Sequence, residues 1–371
     1  MKILHFILGK ANPDRANGVN QVIYGLCKYM AVAGHEVRVI GLSTNMSKAY
    51  ETVSRGYFDV LVYNKFFGKC FQDLKKQAQD VDIVHLHGVW QHYNIFFAKY
   101  LKSINKPYLV TIHSGLTEDR IKQSRYWFKL LYHSLFQKKI FNVADGLHAI
   151  TREEVSDISK FTSNRNIFTV PNGVDLETLP AGEQKKESSG KINFGYLGRF
   201  GQEKNILGLV NAINQLPKSY LEKIQCHLIG PLGKEADVVR SEVKKLGIEG
   251  QICFQGGLYG QEKFNFLRGL DFYLHPSYSD VVSIAVMEAM ALGLPCVVTR
   301  TSQVSYYYDS GAFLMVEPVV SDIRRGLMEM IDRRASWNEM SISAIKLVQE
   351  TFNWKASAGK MLCEYQKIIS S

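Results

Sequence analysis

Strand and helix signals alternate along this chain, lapse once, and then begin again. Lys2–Leu8 reads as a buried strand, Val19–Ala33 has helical periodicity and stops at Gly34, and Glu36–Leu42 returns to a strand. Strand candidates follow at Val81–His87, Tyr108–His113, Gly146–Ile150 and Ile167–Val170. Thr151 and Glu154 form a capping-box pattern for the helix after them. Parallel neighbours need a crossover, usually a helix, so this alternation predicts a parallel sheet covered by helices. At Leu179–Lys191 the pattern gives way to a polar, small-residue run, Pro180-Ala181-Gly182-Glu183-Gln184-Lys185-Lys186-Glu187-Ser188-Ser189-Gly190, which has the composition of a linker. Alternation restarts at Ile192–Leu197. Strands are expected at Ile224–Ile229, Ile252–Gln255, Phe272–Leu274 and Pro295–Val298, and helices at Asn205–Leu216, Glu235–Leu246 and Gln261–Leu270. Trp354–Ile369 reads as a last amphipathic helix.

At 371 residues the chain is longer than the roughly 250–300 residues at which one core stops growing. The expectation is an α/β fold of two Rossmann-like, doubly wound domains facing across a cleft. The first spans 1–178, a linker 179–191, the second 192–352, and the helix at 353–371 packs back on the first domain. Hydrophobic content of 46% supplies material for two cores. Open parallel sheets bind ligands beyond the carboxyl ends of their strands, so the residues just after the strands are the ones that matter.

No two of the six cysteines lie within four residues of each other, which excludes a zinc ribbon or a thioredoxin-like pair. They read as buried free thiols in a reducing compartment. The apolar run at the start is too short for a signal peptide, and no stretch of about 20 apolar residues exists to span a membrane. The expected location is the cytoplasm. The net charge of +10 is uneven: residues 1–182 hold 23 Lys+Arg against 15 Asp+Glu, and residues 183–371 hold 22 against 20. The basic first half implies an anionic partner.

The densest cluster of chemistry lies between Pro276 and Pro295. A strand delivers a polar turn holding Asp280, and a helix follows from about Ser283 and ends at Gly293. The helix start, with the N–H groups near Ser283 and Ile284, favours a phosphate. Glu288 sits among Ala285, Met287, Ala289, Met290 and Ala291, an apolar setting in which a carboxylate needs a partner. Two carboxylates bracketing one elongated ligand is one reading; a turn residue and a surface glutamate is the other. Asp80-Val81-Asp82 spells a metal-binding triplet but leads straight into a buried strand, and His85-x-His87 reads as a strand-end pair rather than a zinc site. No Gly-x-Gly-x-x-Gly follows the first strand, which argues against a nicotinamide site. In Arg120–Lys139 the bases Lys122, Arg125, Lys129, Lys138 and Lys139 interleave with Tyr126, Trp127, Phe128, Leu131, Leu135 and Phe136. That pattern suits either an interfacial helix on anionic lipid or a core helix with a solvated basic face. No nucleic-acid module accompanies the charge.

Pro276–Pro295 resembles the E-x7-E signature of glycosyltransferase family 4, retaining enzymes of the GT-B fold. Gly198-Arg199-Phe200-Gly201-Gln202-Glu203-Lys204 resembles that family's diphosphate motif, Pro171-Asn172-Gly173-Val174-Asp175 its P-N-G-V-D motif, and Thr111-Ile112-His113 its T-x-H strand end. Asn17-Gly18-Val19, followed by Ala33-Gly34-His35-Glu36-Val37, resembles its glycine loop and what comes after. These motifs stand in family order across nearly the whole chain.

The resemblance implies a donor that is a nucleoside-diphosphate sugar, used as a substrate with no cofactor and no metal. Arg199 and Lys204 would face the departing diphosphate, Glu288 the ribose, Asp280 the donor sugar, and the N–H groups of Ser283 and Ile284 a phosphate. Gly18 would let backbone approach the reaction centre from the donor and acceptor sides. His113 would stand beside the transferred sugar, its alternative being a structural histidine; Asn172 would shape the acceptor side or simply form a turn with Gly173. The catalytic set so implied is His113, Asp280, Arg199 and Lys204. The acceptor would be a lipid-linked saccharide or oligosaccharide in surface polysaccharide assembly, with an anionic membrane surface as a further partner. The chain departs from the pattern where Asp280-Val281-Val282-Ser283 replaces Glu-Gly-Phe-Gly and where Gly18 stands without a second glycine. The first departure favours the alternative of a nucleotide-binding subunit without catalysis; a sugar-nucleotide epimerase on the same fold is a more remote alternative.

Overall fold

Two sheets, each built by its own stretch of sequence, organise the computed structural model, which describes residues 1–12, 18–117, 121–122, 126–180 and 190–371. One unit is Met1–Asn172 with Trp354–Ser371; the other is Gly173–Asn353.

In the first unit, β1 (Lys2–Leu8), β2 (Glu36–Leu42), β3 (Tyr50–Ser54), β4 (Asp59–Tyr63), β5 (Ile83–His87), β6 (Tyr108–Thr111), β7 (Gly146–Ala149) and β8 (Ile167–Thr169) form one sheet in the order β3-β4-β2-β1-β5-β6-β7-β8. Every pair is parallel except β3 with β4. β5, β6 and β7 are buried at every position, as expected where helices cover both faces. The hairpin of β3 and β4 has no counterpart in the sequence expectation. β3 alternates between exposed and half-buried positions and forms an edge, so it carries no apolar run to mark it.

Helix Lys69–Asp80 buries Cys70, Leu74 and Ala78, spaced four apart, and turns its charges outward. Helix Trp354–Ser370 packs against helix Gly18–Val32. Gly25 makes that approach possible: a methyl group there would lie 2.4 Å from the Trp354 ring. The first unit ends before the expected boundary at 178. The Val174 amide donates to the Phe352 carbonyl at 2.8 Å, and the Val174 side chain is buried with Phe352 in the second core, so Gly173–Thr178 belongs to the second unit. Most of the expected linker, 181–189, lies outside the described residues.

In the second unit, β9 (Ile192–Leu197), β10 (Ile224–Ile229), β11 (Ile252–Gly256), β12 (Phe272–His275), β13 (Cys296–Thr299) and β14 (Phe313–Val316) form an all-parallel sheet in the order β11-β10-β9-β12-β13-β14. Phe194 and Phe272 stack across β9 and β12 with centroids 4.8 Å apart. The chain winds outward from β9 in one direction and from β12 in the other, so the gap between them is the topological switch point, where such sheets bind ligands. Among the described residues, no helix is long and apolar enough to cross a membrane.

Candidate active site

The loops that leave β9 and β12 are fastened to each other. The buried Tyr196 hydroxyl donates to the Arg199 carbonyl at 2.7 Å. A 3-10 turn, Gln202–Lys204, ends at Asn205 in the left-handed region (φ 55°), a conformation asparagine tolerates. The Asn205 amide donates to the carbonyls of Pro276 (3.0 Å) and Pro318 (3.1 Å). The Glu203 carbonyl accepts from the Ser277 hydroxyl and the Tyr278 amide, both at 2.8 Å. The loop after β10 closes in as well, because a methyl group on Gly230 would lie 2.0 Å from the Gly198 carbonyl oxygen.

Two largely buried ion pairs result. Lys204 Nζ donates to Asp280 Oδ2 at 2.5 Å, directly at the β9/β12 switch point. His275 Nε2 donates to the same oxygen at 2.8 Å. Burial alone would raise the Asp280 pKa, but the His275 hydrogen bond and the Lys204 charge overcome it and hold the group at about 2. Burial also keeps His275 below its usual range, so at pH 7 it is a neutral donor. Lys263 Nζ donates to Glu288 Oε1 at 2.6 Å, with side-chain exposures of 11% and 9%. This is the partner that Glu288 requires among its apolar neighbours. Arg199 differs: its side chain is 59% exposed and its pair with Glu203 spans 3.2 Å.

Val282 adopts φ +22°, at the edge of the left-handed region. Such backbone costs a β-branched residue on the order of 1–2 kcal/mol. Its side chain is 2% exposed and packs in the second core with Val286 and Met287, and that burial returns roughly 1.5–3 kcal/mol. Burial therefore offsets the strain at Val282, which stands at the Phe position of Glu-Gly-Phe-Gly; Val281 and Ser283, at the two glycine positions, do not have positive φ. Ser283 precedes helix Ile284–Ala291, and no side chain caps its amides.

In the first unit, His113 and Ser114 both have positive φ, at 51° and 62°. Glu154 holds this turn. Its Oε1 accepts the Ser114 amide and its Oε2 the Ile150 amide, each at 2.6 Å. The Thr151 side chain caps the Glu154 amide at 3.3 Å, but the Glu154 carboxylate serves the turn instead of completing a capping box. Burial pushes Glu154 up to about 7 against the lowering effect of those two N–H bonds. Gly18 is exposed at the start of its helix, and Asn172 is buried at the end of the unit. Asn17 lies outside the described residues.

Asp80 pairs with Lys2 (3.0 Å) and Arg38 (2.5 Å), and Asp82 accepts the Lys2 amide at 2.7 Å. The Asp-Val-Asp triplet thus fastens the starts of the central strands β1, β2 and β5, at the ends of those strands opposite the loops that follow them. The basic segment is not one helix. It runs as an α-helix over Tyr126–Tyr132, a π-helical turn over His133–Gln137 and an α-helix over Lys138–Asn142, with Arg120 and Arg125 outside the described residues. It buries Ile140 and Phe141 but exposes Trp127 (78%), Phe128, Leu131 and Leu135. Lys122, Lys138 and Lys139 are exposed, and Lys129 is half-buried.

His275, Lys263 and the Glu154 clamp are not among the site residues expected from the sequence. His275 had a signal, since it ends the strand that delivers Asp280. Lys263 had none, because nothing in an amphipathic helix ties it to a carboxylate 25 residues away.

Residues 16–178 match the model of Glycosyltransferase Family 4, and residues 181–347 that of Glycosyl transferases group 1. An uncharacterized glycosyltransferase of Methanocaldococcus jannaschii is 26% identical over 68% of this chain and 64% of its own length. The O-antigen chain mannosyltransferase B of Escherichia coli is 25% identical over 67% of this chain and 65% of its own. The chain therefore spans about two thirds of these relatives. A crystal structure of Anabaena HepE in complex with UDP superposes with a TM-score of 0.79 at 14% identity, covering 99% of this chain and 100% of that one. Two α/β sheets, one wholly and one mostly parallel, a strand-end site at a switch point and family models matching both units agree: the chain belongs to glycosyltransferase family 4 and has the GT-B fold.

Proposed function

We propose that this chain is a retaining glycosyltransferase that moves a sugar from a nucleoside-diphosphate sugar to a lipid-linked saccharide in surface polysaccharide assembly. The observation that carries this reading is the meeting of Lys204 and Asp280 at the switch point of the second sheet. Lys204 has three N–H donors and spends one on Asp280, leaving two for phosphate oxygens. Arg199, exposed and loosely paired, is free to swing onto the same diphosphate. The amides of Ser283 and Ile284, uncapped at a helix start, suit a phosphate as well. Asp280, held ionised, accepts from sugar hydroxyls, and Glu288 from the ribose.

In the transfer, the bond from the anomeric carbon to the diphosphate oxygen breaks, and the acceptor hydroxyl oxygen bonds that carbon on the same face. The acceptor proton passes to a diphosphate oxygen. Negative charge grows on the leaving group, and two cationic side chains stabilise it without a metal or other cofactor. His113 stands beside the sugar, with Gly18 and Asn172 on the acceptor side. The relative named for O-antigen chains supports a surface polysaccharide acceptor. The exposed Trp127, Phe128, Leu131 and Leu135 beside Lys122, Lys138 and Lys139 support peripheral docking on an anionic membrane at the cytoplasmic face.

The test is a panel of nucleoside-diphosphate sugars supplied with lipid-linked oligosaccharide, with the anomeric configuration of the product read by NMR. Transfer with retained configuration is expected. Binding without turnover of any donor would instead make the chain a nucleotide-binding subunit.

A further inference from the structure

Five histidines gather at the strands of the first unit, and two hydrogen-bonded chains run through them. His5 lies on β1, His85 and His87 on β5, His113 just beyond β6 and His148 on β7. In the sheet, His5 stands level with His85, and His87 with Thr111.

The first chain has a single proton arrangement. His148 Nε2 lies 2.8 Å from the Val170 carbonyl, which can only accept, so Nε2 carries the proton and Nδ1 is bare. The Thr111 hydroxyl, 2.8 Å from that Nδ1, must donate to it. Its one proton spent, Thr111 accepts from His85 Nε2 at 2.5 Å. His85 Nδ1 is then bare and accepts from the Tyr365 hydroxyl at 2.6 Å. Ring nitrogens of His5, His85 and His87 lie within 4.8 Å of one another, a spacing that suits a metal ion. Yet both nitrogens of His85 are spent, and no lone pair remains there for a metal.

The second chain leads to the site. His5 Nδ1 is 3.0 Å from His87 Nε2, and His87 Nδ1 is 3.1 Å from His113 Nε2. His85 stacks on His87 with ring centroids 4.0 Å apart, which keeps the middle ring in place. Burial pushes His5 and His113 down to about 3 and His87 well below its usual range, the neighbouring rings adding to it, so all three are neutral at pH 7. A neutral His87 donates at one nitrogen and accepts at the other, so the two bonds point the same way. The far end sets the direction. His5 Nε2 is buried with no partner among the described residues. A proton there would be a buried donor without an acceptor, the rarer kind of orphan, whereas a proton on Nδ1 leaves only a lone pair.

We propose that His5, through His87, fixes the tautomer of His113, so that His113 presents an Nδ1–H donor to a sugar hydroxyl. This rests on the transferase reading, in which His113 stands beside the transferred sugar. His5 and His87 are positioning residues, and the ligand feature they select is a hydroxyl oxygen able to accept. An unconstrained neutral histidine side chain prefers its proton on Nε2, so the Nδ1–H form of His113 is the signature of the relay.

The test is the 15N spectrum of the full chain labelled at histidine, without substrate, at pH 7, with the His113 signals identified by their loss in His113→Gln. It reports on the relay whether or not transfer is ever observed. Expected are a single Nδ1–H form for His113, a majority Nε2–H form in His5→Leu, and return of the Nδ1–H form in His5→Asn, whose amide nitrogen can donate from the position of Nδ1. Should His5→Leu not fold, the wild-type spectrum decides alone. An Nε2–H form of His113 in the wild type, a pattern unchanged in His5→Leu, or an equivalent of zinc retained on His5 and His87 would each overturn the proposal.

Discussion

Lys204 and Arg199 carry the same charge at the same candidate site, but their surroundings give them different consequences. Lys204 is 15% exposed and neutralises a largely buried carboxylate, so Lys204→Ala leaves Asp280 with His275 as its remaining polar partner. We expect a loss of about 1–3 kcal/mol in urea denaturation. Arg199 is 59% exposed, so Arg199→Ala should cost under about 1 kcal/mol. Both variants should lower kcat by roughly 10²–10³-fold, the usual effect of removing one donor to a developing negative charge. Wild-type turnover in either would remove that residue from the mechanism. Asp280 adds a pH signature. Its pKa is 3.8 in the unfolded chain and about 2 in the fold, so between those values the unfolded chain binds the proton and the folded chain does not. Its stabilisation is present above about pH 4 and is lost as pH falls towards 2. The stability difference between wild type and Asp280→Asn should therefore shrink by about 1 kcal/mol from pH 5 to pH 3. A difference that stays constant would show that Asp280 is not held ionised.

At the scale of elements, the strand-end loops take their shape from side chains far away in sequence. Asn205, Glu203 and Ser277 fasten two loops, and Glu154 clamps the left-handed turn at His113. The strands were legible because parallel strands buried on both faces read as apolar runs: β1, β2, β9 and β10 fall where the sequence places them. The edge hairpin was not legible, since half-exposed strands carry no such run. Asp280 and Glu288 stood out as candidates by their setting, and Lys204 and Arg199 by resemblance to the family's diphosphate motif. Lys263 was not, because an ion pair between separate helices leaves no local pattern. The segment Tyr126–Asn142 makes its own prediction. Trp127 is 78% exposed, so Trp127→Glu should leave the melting temperature nearly unchanged. The same change should weaken cosedimentation with vesicles containing anionic lipid several-fold, and added salt should weaken it further by screening the lysines. Unaltered vesicle binding would return the segment to its other reading, an ordinary helix face in water.

For the whole molecule, the two units should take different tasks. The second, with its Rossmann-like strand order and the largely buried Lys204–Asp280 and Lys263–Glu288 pairs, should hold the donor; the first, basic and rich in buried histidine, should serve the sugar, the acceptor and the membrane. Family membership and fold came from features spread over the entire chain, whereas the identity of the base and sugar depends on contacts that no motif specifies. The claim beneath all of this is that the second unit binds a nucleoside diphosphate through the loops after β9 and β12. Calorimetric titration of the full chain with UDP, GDP and ADP tests it directly. At least one is expected to bind with a stoichiometry of one, and Arg199→Ala, folded as well as the wild type, to weaken it at least about tenfold, the equivalent of 1.4 kcal/mol. Binding by none of the three, or equal affinity in wild type and Arg199→Ala, would contradict it.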